Sequence, residues 1–518
     1  MGDRGNALRP VNKEFLLSFG LRVPSAERRW LHVHASKSLG PTLGPRNTDF
    51  GGPMSEAELP IALNRQSPVS LSAQVASQLR DAILTGLLGP EHTLPATRRL
   101  ATDLGISRGV VVRAFEQLSG EGFLESNGAG GTKVAVRPDL QTLPRQEIKP
   151  CSSSTNQDVI DLTPGRPSGA PFKDREWRGA WKAALSEEGN TQLPPALGTW
   201  ALRDAVARHL AVSRGLSVDP QNIIITAGTS DALHLVVAML RGKRDHPHVL
   251  VEDPGYPTAR RVLTAAGAQL VTVPVDEDGL KSSQLAALKD IPDAVLVTPS
   301  HQYPLGGRMA VRERLGLLKW AGQHGVLILE DDYDSEFRHT RMPLPAVASL
   351  PSTAEVVLVG TFSKNLSPSL RCGYLAVRGD AGRRLKAARE ALDTPVAGIL
   401  QSALAHYING GGLSRHITRA RREYSHRRSL LIDRLGSRGD LDLAALDGGL
   451  HAVIRFERPD SADLAANALK LGVRVIPLAS YYADRAPMNG LVIGYGAVSD
   501  LKLVRALNIL GPLMDGTT

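Results

Sequence analysis

The segment AEVVLVGTFSKNLSPSLRCGY, residues 354–374, joins a buried-strand pattern to a cluster of polar groups. Its apolar run predicts an interior strand, and Thr361, Ser363 and Lys364 follow that strand at once. Arg371 stands seven positions after the lysine. In open α/β sheets, ligands bind beyond the carboxyl ends of the strands. The segment therefore predicts a site where an amine, hydroxyl groups and a guanidinium meet at a sheet edge.

Four other segments repeat this pattern of an apolar strand followed by polar residues. They are NIIITAG (222–228), HVLVEDPG (248–255), AVLVTPS (294–300) and GVLILEDD (325–332). Helical stretches separate the strands, and this alternation predicts an α/β domain with a mostly parallel sheet covered by helices.

The strand ends offer covalent and anion-binding chemistry. The amine of Lys364 can bond to an aldehyde, including that of pyridoxal 5′-phosphate (PLP). A helix that opens at Thr229 and Ser230 presents backbone N–H groups and hydroxyls to an anion. Arg371 can bind a phosphate through two parallel hydrogen bonds.

The same strand ends offer partners for an aromatic nitrogen heterocycle. One acid among Glu330, Asp331 and Asp332 can keep a pyridine nitrogen protonated. Tyr256, which follows a Pro-Gly turn, can cover a ring face. His301, Gln302 and Tyr303 end another strand. These groups extend the prediction from an anion site to a PLP site.

An independent pattern occupies residues 61–137. The segment 70–88 predicts a helix with one apolar stripe, Leu71, Val75, Leu79, Ile83 and Leu87. A second helix follows, which Thr97 can cap; Gly105 then provides a turn and Ser107 caps a third helix. Two helices joined by a short turn predict a helix-turn-helix. The Gly-rich segment 122–136 predicts a two-stranded wing.

This region resembles the GntR-type winged helix through LPATRRLATDLGISRGVVVRAFEQLSGEGFLESNGAGGT, residues 94–132. Ala96, Val110 and Phe115 depart from the family pattern, as does an extra glycine in the wing. The resemblance implies binding to double-stranded promoter DNA. The residues it places at the DNA are Arg98, Ser107, Arg108 and Arg113, with Thr97 and Lys133 as further candidates.

The whole region 61–513 resembles the MocR/GabR subfamily of GntR regulators, through EDDYDSEF (330–337) and the lysine segment. In that subfamily a winged helix is fused to a fold-type I PLP aminotransferase-like domain. The resemblance implies that Lys364 forms the internal aldimine, Asp331 pairs with the pyridine nitrogen, Tyr333 bonds the phenolic oxygen and Tyr256 stacks on the ring. It assigns the phosphate to Thr229, Ser230, Thr361 and Arg371.

Three residues depart from the aminotransferase pattern. Val492 stands where these enzymes carry the arginine that binds a substrate carboxylate, and Leu305 stands where threonine is common. Leu193 replaces a tyrosine that reaches the neighbouring subunit's phosphate. Arg260 and Arg455 are the arginines that could replace the missing carboxylate-binding arginine, but the spacing of neither favours that role.

A late basic segment, residues 411–435, allows two interpretations. It can be a DNA-facing patch, or an amphipathic helix packed on the domain. The spacing of Ile417, Ala420, Tyr424 and Leu431 favours the packed helix.

Composition sets the remaining expectations. The chain of 518 residues has two cysteines, a net charge of +9 and 42% hydrophobic residues, which is typical of a multidomain protein of a reducing cytoplasm. We expect no membrane segment and no metal site. We predict a disordered extension at 1–60, with translation starting at Met54. We predict a winged helix at 61–137, a linker at 138–157 and an aminotransferase class I/II-like PLP domain at 158–513.

These features predict a cytoplasmic transcriptional regulator that senses PLP, or an amine-bearing effector, through a lysine aldimine. We expect a head-to-tail homodimer and no physiological turnover. One alternative is an active PLP-dependent aminotransferase that carries a DNA-binding domain. Another is a DNA-binding module on a scaffold that binds no PLP. The fused winged helix and Val492 favour the regulator over the enzyme, and the retained Lys364 and Asp331 favour it over the empty scaffold.

Overall fold

The computed structural model divides the chain into two compact units, Met1–Ser152 and Ser153–Thr518. This division falls within the predicted linker, and residues 138–157 themselves lie outside the described part of the chain. The model describes residues 28–33, 57–90, 92–126, 131–135, 159–169, 174–188, 192–242, 244–339, 345–484 and 486–515.

The first unit contains one strand, and the greater part of a second, inside the segment predicted to be disordered, residues 1–60. Strands β1 (Arg28–Val33) and β2 (Ala57–Ala62) pair antiparallel. The prediction of disorder is therefore wrong for these residues, because each backbone finds its hydrogen-bond partner in a segment distant in sequence. The rest of residues 1–56, including Met54, lies outside the described residues.

Three helices and a hairpin follow, as the winged-helix pattern predicts. They are α1 (Leu71–Leu84), α2 (Thr97–Leu104), α3 (Arg108–Gly120), β3 (Leu124–Ser126) and β4 (Thr132–Val134). Val75, Leu79 and Ile83 are buried in one apolar core, whereas Leu87 is exposed. The periodicity fails at Leu87 because α1 has already ended.

The turn between α2 and α3 forms at Gly105, which has a left-handed φ of 63°. The prediction that Thr97 caps α2 is wrong, because Ala96 occupies the cap and Thr97 is the first helical residue. Ser107 does occupy the cap of α3, although its hydroxyl makes no capping hydrogen bond.

The second unit confirms the mostly parallel α/β fold. Its first strand is β5 (Ile160–Asp161). The main sheet has the order β6-β12-β11-β10-β9-β7-β8. Strand β12 runs antiparallel to its neighbours β6 and β11, and the other pairs are parallel. The seven strands are β6 (Ile223–Thr226), β7 (His248–Asp253), β8 (Gln269–Pro274), β9 (Ala294–Val297), β10 (Leu327–Asp332), β11 (Val356–Thr361) and β12 (Gly373–Arg378).

Helices cover both faces of this sheet. Along β11, Val356 and Leu358 join one apolar core while Val357 and Val359 join the other. Burial on two faces explains why the central strands read as continuous apolar runs. The helices of this unit are α4 (Arg175–Leu185), α5 (Trp200–Arg214), α6 (Thr229–Arg241), α7 (Pro257–Ala265), α8 (Ser282–Ala286), α9 (Val311–His324), α10 (Phe362–Asn365), α11 (Ala381–Leu392), α12 (Gly398–Asn409), α13 (Gly412–Leu435), α14 (Ser461–Lys470) and α15 (Asp500–Met514).

A smaller antiparallel sheet of four strands completes the second unit, with the order β13-β14-β17-β16, and β15 pairs in parallel with β5. The strands are β13 (Asp442–Ala444), β14 (His451–Arg455), β15 (Val473–Arg474), β16 (Ile476–Pro477) and β17 (Gly490–Gly494). Helix α13 buries Ile417, Ala420, Tyr424 and Leu431, so the packed amphipathic interpretation of the basic segment is confirmed. In the described ranges, no helix is long and apolar enough to cross a membrane.

Candidate functional site

The topology of the main sheet gathers the predicted polar residues at one edge. Strands β10 and β11 are parallel, so Asp331 and Lys364 follow the same edge. Strand β12 is antiparallel and pairs Gly373 with Thr361 and with Thr226, which returns Arg371 and the start of α6 to that edge. Segments far apart in sequence therefore meet at one place.

A cavity of about 130 Å³ lies at this edge. All eight residues predicted to bind the cofactor line it, together with Tyr303, Ser363 and Pro368. The eight are Thr229, Ser230, Tyr256, Asp331, Tyr333, Thr361, Lys364 and Arg371. The cavity is thus a single space in which an amine, a carboxyl group and phenols face an anion cup, the group formed by Thr229, Ser230 and Arg371.

Lys364 lies on the short helix α10, which begins where β11 ends. The hydroxyl of Thr361 accepts a hydrogen bond of 3.1 Å from the backbone N–H of Ser363 and caps this helix. The Nζ atom of Lys364 donates a 2.8 Å hydrogen bond to the carbonyl oxygen of Gly165. Burial lowers the pKa of the Lys364 amine, while Asp334 and Asp331 oppose that shift. A lowered pKa increases the fraction of neutral amine, the form that attacks an aldehyde.

Asp331 presents an unsatisfied carboxyl oxygen in the same cavity. The residue is buried at the end of β10, and its Oδ1 atom has no hydrogen-bond partner among the described residues. Burial raises the pKa of Asp331 to about 7, Asp332 adds to the shift and Lys364 opposes it. A buried carboxyl oxygen without a partner costs free energy, so it suits a ligand that brings an N–H donor. The pyridinium nitrogen of PLP is such a donor.

Tyrosine rings form one wall of the cavity. The rings of Tyr256 and Tyr303 meet edge to face with centroids 5.9 Å apart, and those of Tyr303 and Tyr333 do so at 5.5 Å. Burial raises the pKa of both Tyr256 and Tyr333, so both phenols stay protonated at neutral pH. An aromatic wall with hydroxyl groups suits a flat heterocycle that carries a phenolic oxygen.

The anion cup forms at the start of α6. Gly228 precedes this helix with a left-handed φ of 92°, and Thr229 and Ser230 are its first residues. A Cβ atom added at Gly228 would lie 3.8 Å from the Arg371 guanidinium carbon, so the guanidinium lies over the helix start. Backbone N–H groups, hydroxyls and a cation thus converge, which favours a phosphate.

Neither candidate substitute for the missing carboxylate-binding arginine reaches the cavity. Arg260 donates hydrogen bonds to the carbonyl oxygens of Tyr481 and Tyr482, at 2.8 and 3.1 Å. Arg455 pairs with two acids, Glu277 and Asp442. Each guanidinium is therefore already held by other groups.

Val492 and Leu305 belong instead to a buried apolar cluster. The cluster also contains Leu478, Tyr481 and Tyr482, with Tyr303 packed against it. This region therefore offers apolar and aromatic contacts where an aminotransferase carries a cation.

The sequence patterns predicted no role for three buried residues near Tyr333, which are His301, Asp334 and His451. His301 Nδ1 lies 2.9 Å from Asp334 Oδ2 and 3.1 Å from the hydroxyl of Tyr333. The ring of His451 lies 5.2 Å from that of His301, centroid to centroid. The HQY segment at the end of β9 marked His301 as a residue of interest, but nothing in the sequence connected it with Asp334.

In the first unit, the predicted DNA contacts lie on α2, α3 and the wing. Arg98, Ser107, Arg108 and Arg113 are exposed, whereas Thr97 and Lys133 are half-buried. Ser107 and Arg108 stand at the start of α3, the helix whose N-terminal residues contact bases in a helix-turn-helix.

Comparisons with known proteins agree with both halves of this description. Residues 157–503 match the family model "Aminotransferase class I and II", and residues 71–134 match "Bacterial regulatory proteins, gntR family". The solved archaeal alanine:glyoxylate aminotransferase superposes with a TM-score of 0.64 at 23% identity, over 70% of this chain and 91% of that one.

Full-length relatives combine the same two parts. The pyridoxine biosynthesis transcriptional regulator PdxR of Corynebacterium glutamicum is 40% identical over 85% of this chain and 95% of that protein. The probable rhizopine catabolism regulatory protein MocR of Rhizobium meliloti is 32% identical over 87% of this chain and 95% of that protein. The chain therefore belongs to the MocR/GabR type of GntR transcriptional regulators, in which a helix-turn-helix domain is joined to an aminotransferase-like domain.

Proposed function

We propose that this regulator binds PLP in the 130 Å³ cavity and that the bound state controls its engagement of promoter DNA. The observation that carries the proposal is that the Lys364 amine and an Asp331 oxygen meet in one cavity, where that oxygen has no hydrogen-bond partner among the described residues. PLP supplies an aldehyde that condenses with an amine, and a pyridine ring that acts as an electron sink when its nitrogen is protonated.

Each cavity residue has a separate task in this proposal. Lys364 would bond the aldehyde carbon with release of water, and Asp331 would accept a hydrogen bond from the ring nitrogen. Tyr333 would donate one to the phenolic oxygen, and Tyr256 would cover the ring. The phosphate is held by Thr229, Ser230, Thr361 and Arg371.

We further propose that the ligand sensed is PLP itself. Val492 lies in an apolar cluster, and Arg260 and Arg455 are held elsewhere, so an amino acid would find no carboxylate partner among them. The similarity to a pyridoxine biosynthesis regulator supports the same ligand and suggests genes of PLP supply as the target.

The proposed regulator acts in the cytoplasm as a homodimer on paired DNA sites. Arg98, Arg108 and Arg113 supply exposed cations for the DNA. Leu193 and Trp200, at 77% and 56% exposure, offer apolar surface near the position where aminotransferases reach the neighbouring subunit. A head-to-tail arrangement would bury this surface.

The decisive experiment measures the absorbance of purified protein titrated with PLP. We expect a visible band from the lysine adduct that is absent in Lys364→Ala and retained in Lys470→Ala, which removes an exposed lysine of α14. Promoter binding should change on PLP addition in the wild type and not in Lys364→Ala. A wild-type protein without the band in excess PLP would refute the proposal.

A further inference from the structure

The wall of the cavity is backed by a buried acid–histidine pair. Asp334 and His301 are 2% and 5% exposed, and their Oδ2 and Nδ1 atoms lie 2.9 Å apart. The Tyr333 hydroxyl, which lines the cavity, lies 3.1 Å from the same nitrogen. Three side chains thus form a chain from the protein interior to the proposed ligand.

The available hydrogen-bond donors decide the direction of each bond. An ionised carboxylate only accepts hydrogen bonds, so His301 Nδ1 must carry the proton that bonds Asp334. That nitrogen then has no lone pair to offer, and the Tyr333 oxygen can only accept from it. The phenolic proton of Tyr333 is consequently left to point into the cavity.

Basic side chains lie near the Asp334 carboxyl group. Arg308 and Arg338 line the same small internal space as Asp334 and His301, and the Lys364 amine is electrostatically coupled to Asp334. The same cations disfavour a metal ion, although His301, Asp334 and His451 lie close enough to hold one.

Close packing fixes the pair in place. Gly449 has a left-handed φ of 72°, and a Cβ atom added there would lie 2.4 Å from Asp334 Oδ2 and 2.7 Å from His301 Cε1. The absence of a side chain at Gly449 is therefore needed for the pair to occupy this position. On the other side, His451 donates from Nε2 to the carbonyl oxygen of Pro304, 3.0 Å away. Burial lowers the pKa of His451 to about 4, so this ring is neutral.

We infer that His301, oriented by Asp334, is a positioning residue that makes Tyr333 an obligate hydrogen-bond donor to the ligand's phenolic oxygen. The inference rests on the proposed PLP function. A donor at this oxygen stabilises its anionic form and so disfavours protonation of the neighbouring lysine–ligand nitrogen. Asp334 thereby tunes the protonation of the bound ligand without touching it.

The first test needs no ligand. Nitrogen-15 NMR of histidine-labelled protein, with His301 assigned by the loss of its signals in His301→Gln, reports which ring nitrogen carries the proton. We expect the proton on Nδ1. A ring protonated only at Nε2 would overturn the inference, whatever the protein does with PLP.

The second test titrates the visible absorbance of PLP-loaded protein with pH, in the wild type, Tyr333→Phe, Asp334→Asn and the double variant. The amide in Asp334→Asn no longer requires a proton on His301 Nδ1, so the lone pair of that nitrogen can accept the Tyr333 proton in place of the ligand oxygen. We therefore expect Asp334→Asn to raise the titration midpoint by about 1–2 pH units, as expected for losing a hydrogen bond to a charged group. Tyr333→Phe should raise it similarly, and the double variant no further.

The direction in which the titration midpoint moves in Asp334→Asn separates this role from a simple charge effect. Removal of a negative charge near a protonated nitrogen would by itself lower the midpoint. A midpoint in Asp334→Asn that is lowered, unchanged, or raised equally in the Tyr333→Phe background would overturn the inference. Absence of PLP binding in the wild type would instead refute the proposed function, and the NMR test would still decide the role of His301.

Discussion

The Nζ atom of Lys364 donates a 2.8 Å hydrogen bond to the carbonyl oxygen of Gly165, which lies 199 positions earlier in the chain. Gly165 has a left-handed φ of 78°, and a Cβ atom added there would lie 2.2 Å from that nitrogen. The amine is therefore held by a backbone group at which an added side chain would displace it.

We expect Gly165→Ala to displace Lys364 and to weaken PLP binding by at least tenfold. The substitution also forces a left-handed conformation that costs a residue with a Cβ atom about 1–2 kcal/mol. Absorbance titration with PLP and thermal unfolding measure the two effects. Gly169→Ala is the matched control, because a Cβ atom there meets no atom within 4 Å; equal PLP affinity in both variants would contradict the prediction.

The raised pKa of Asp331 predicts a pH-dependent stability of the ligand-free protein. With a pKa of about 7 in the folded protein against 3.8 ordinarily, the folded state binds this proton more tightly than the unfolded chain. Stability should therefore fall as pH rises from about 4 to 7, by up to about 4 kcal/mol from this group. Chemical unfolding of wild type and Asp331→Asn across this range isolates the contribution.

Saturating PLP should reduce the difference in pH-dependent stability between wild type and Asp331→Asn, because a protonated ring nitrogen keeps the Asp331 carboxylate ionised. If the unfolding free energies of ligand-free wild type and Asp331→Asn change in parallel between about pH 4 and 7, Asp331 does not titrate in this range.

Arg371→Ala should weaken PLP binding by about 10–100-fold, since it removes a charged hydrogen-bond donor from the anion cup. Binding of pyridoxal, which lacks the phosphate, should change less than threefold. The two affinities can be compared by the quenching of intrinsic fluorescence. An equal loss of affinity for PLP and for pyridoxal would show that Arg371 does not bind the phosphate.

Arg108→Ala should weaken specific promoter binding by about 1–3 kcal/mol if the side chain contacts a base. Arg80→Ala is the control, because Arg80 belongs to α1 and pairs with Glu121. Electrophoretic mobility shift with promoter and unrelated DNA measures both affinities. An equal loss of affinity for promoter and unrelated DNA would show that Arg108 contacts the phosphate backbone. An unchanged affinity would show that Arg108 lies outside the interface.

Much of this molecule could be predicted from local sequence. Strands buried on both faces read as apolar runs, and the residues after them had to meet because the carboxyl ends of parallel strands share one edge. That rule placed Asp331 and Lys364 together. The helix-turn-helix was equally local, since its turn depends on the conformation of Gly105.

Other features depended on contacts between distant segments, which no local pattern encodes. The antiparallel direction of β12 brings Arg371 back to α6, and the contact between Lys364 and Gly165 joins the start of the second unit to its middle. The pairing of His301 with Asp334 requires two strand ends to pack behind a tyrosine. Local hydrogen bonding and burial determine the elements and the chemistry at their ends, whereas the topology of the sheet decides which of those groups touch.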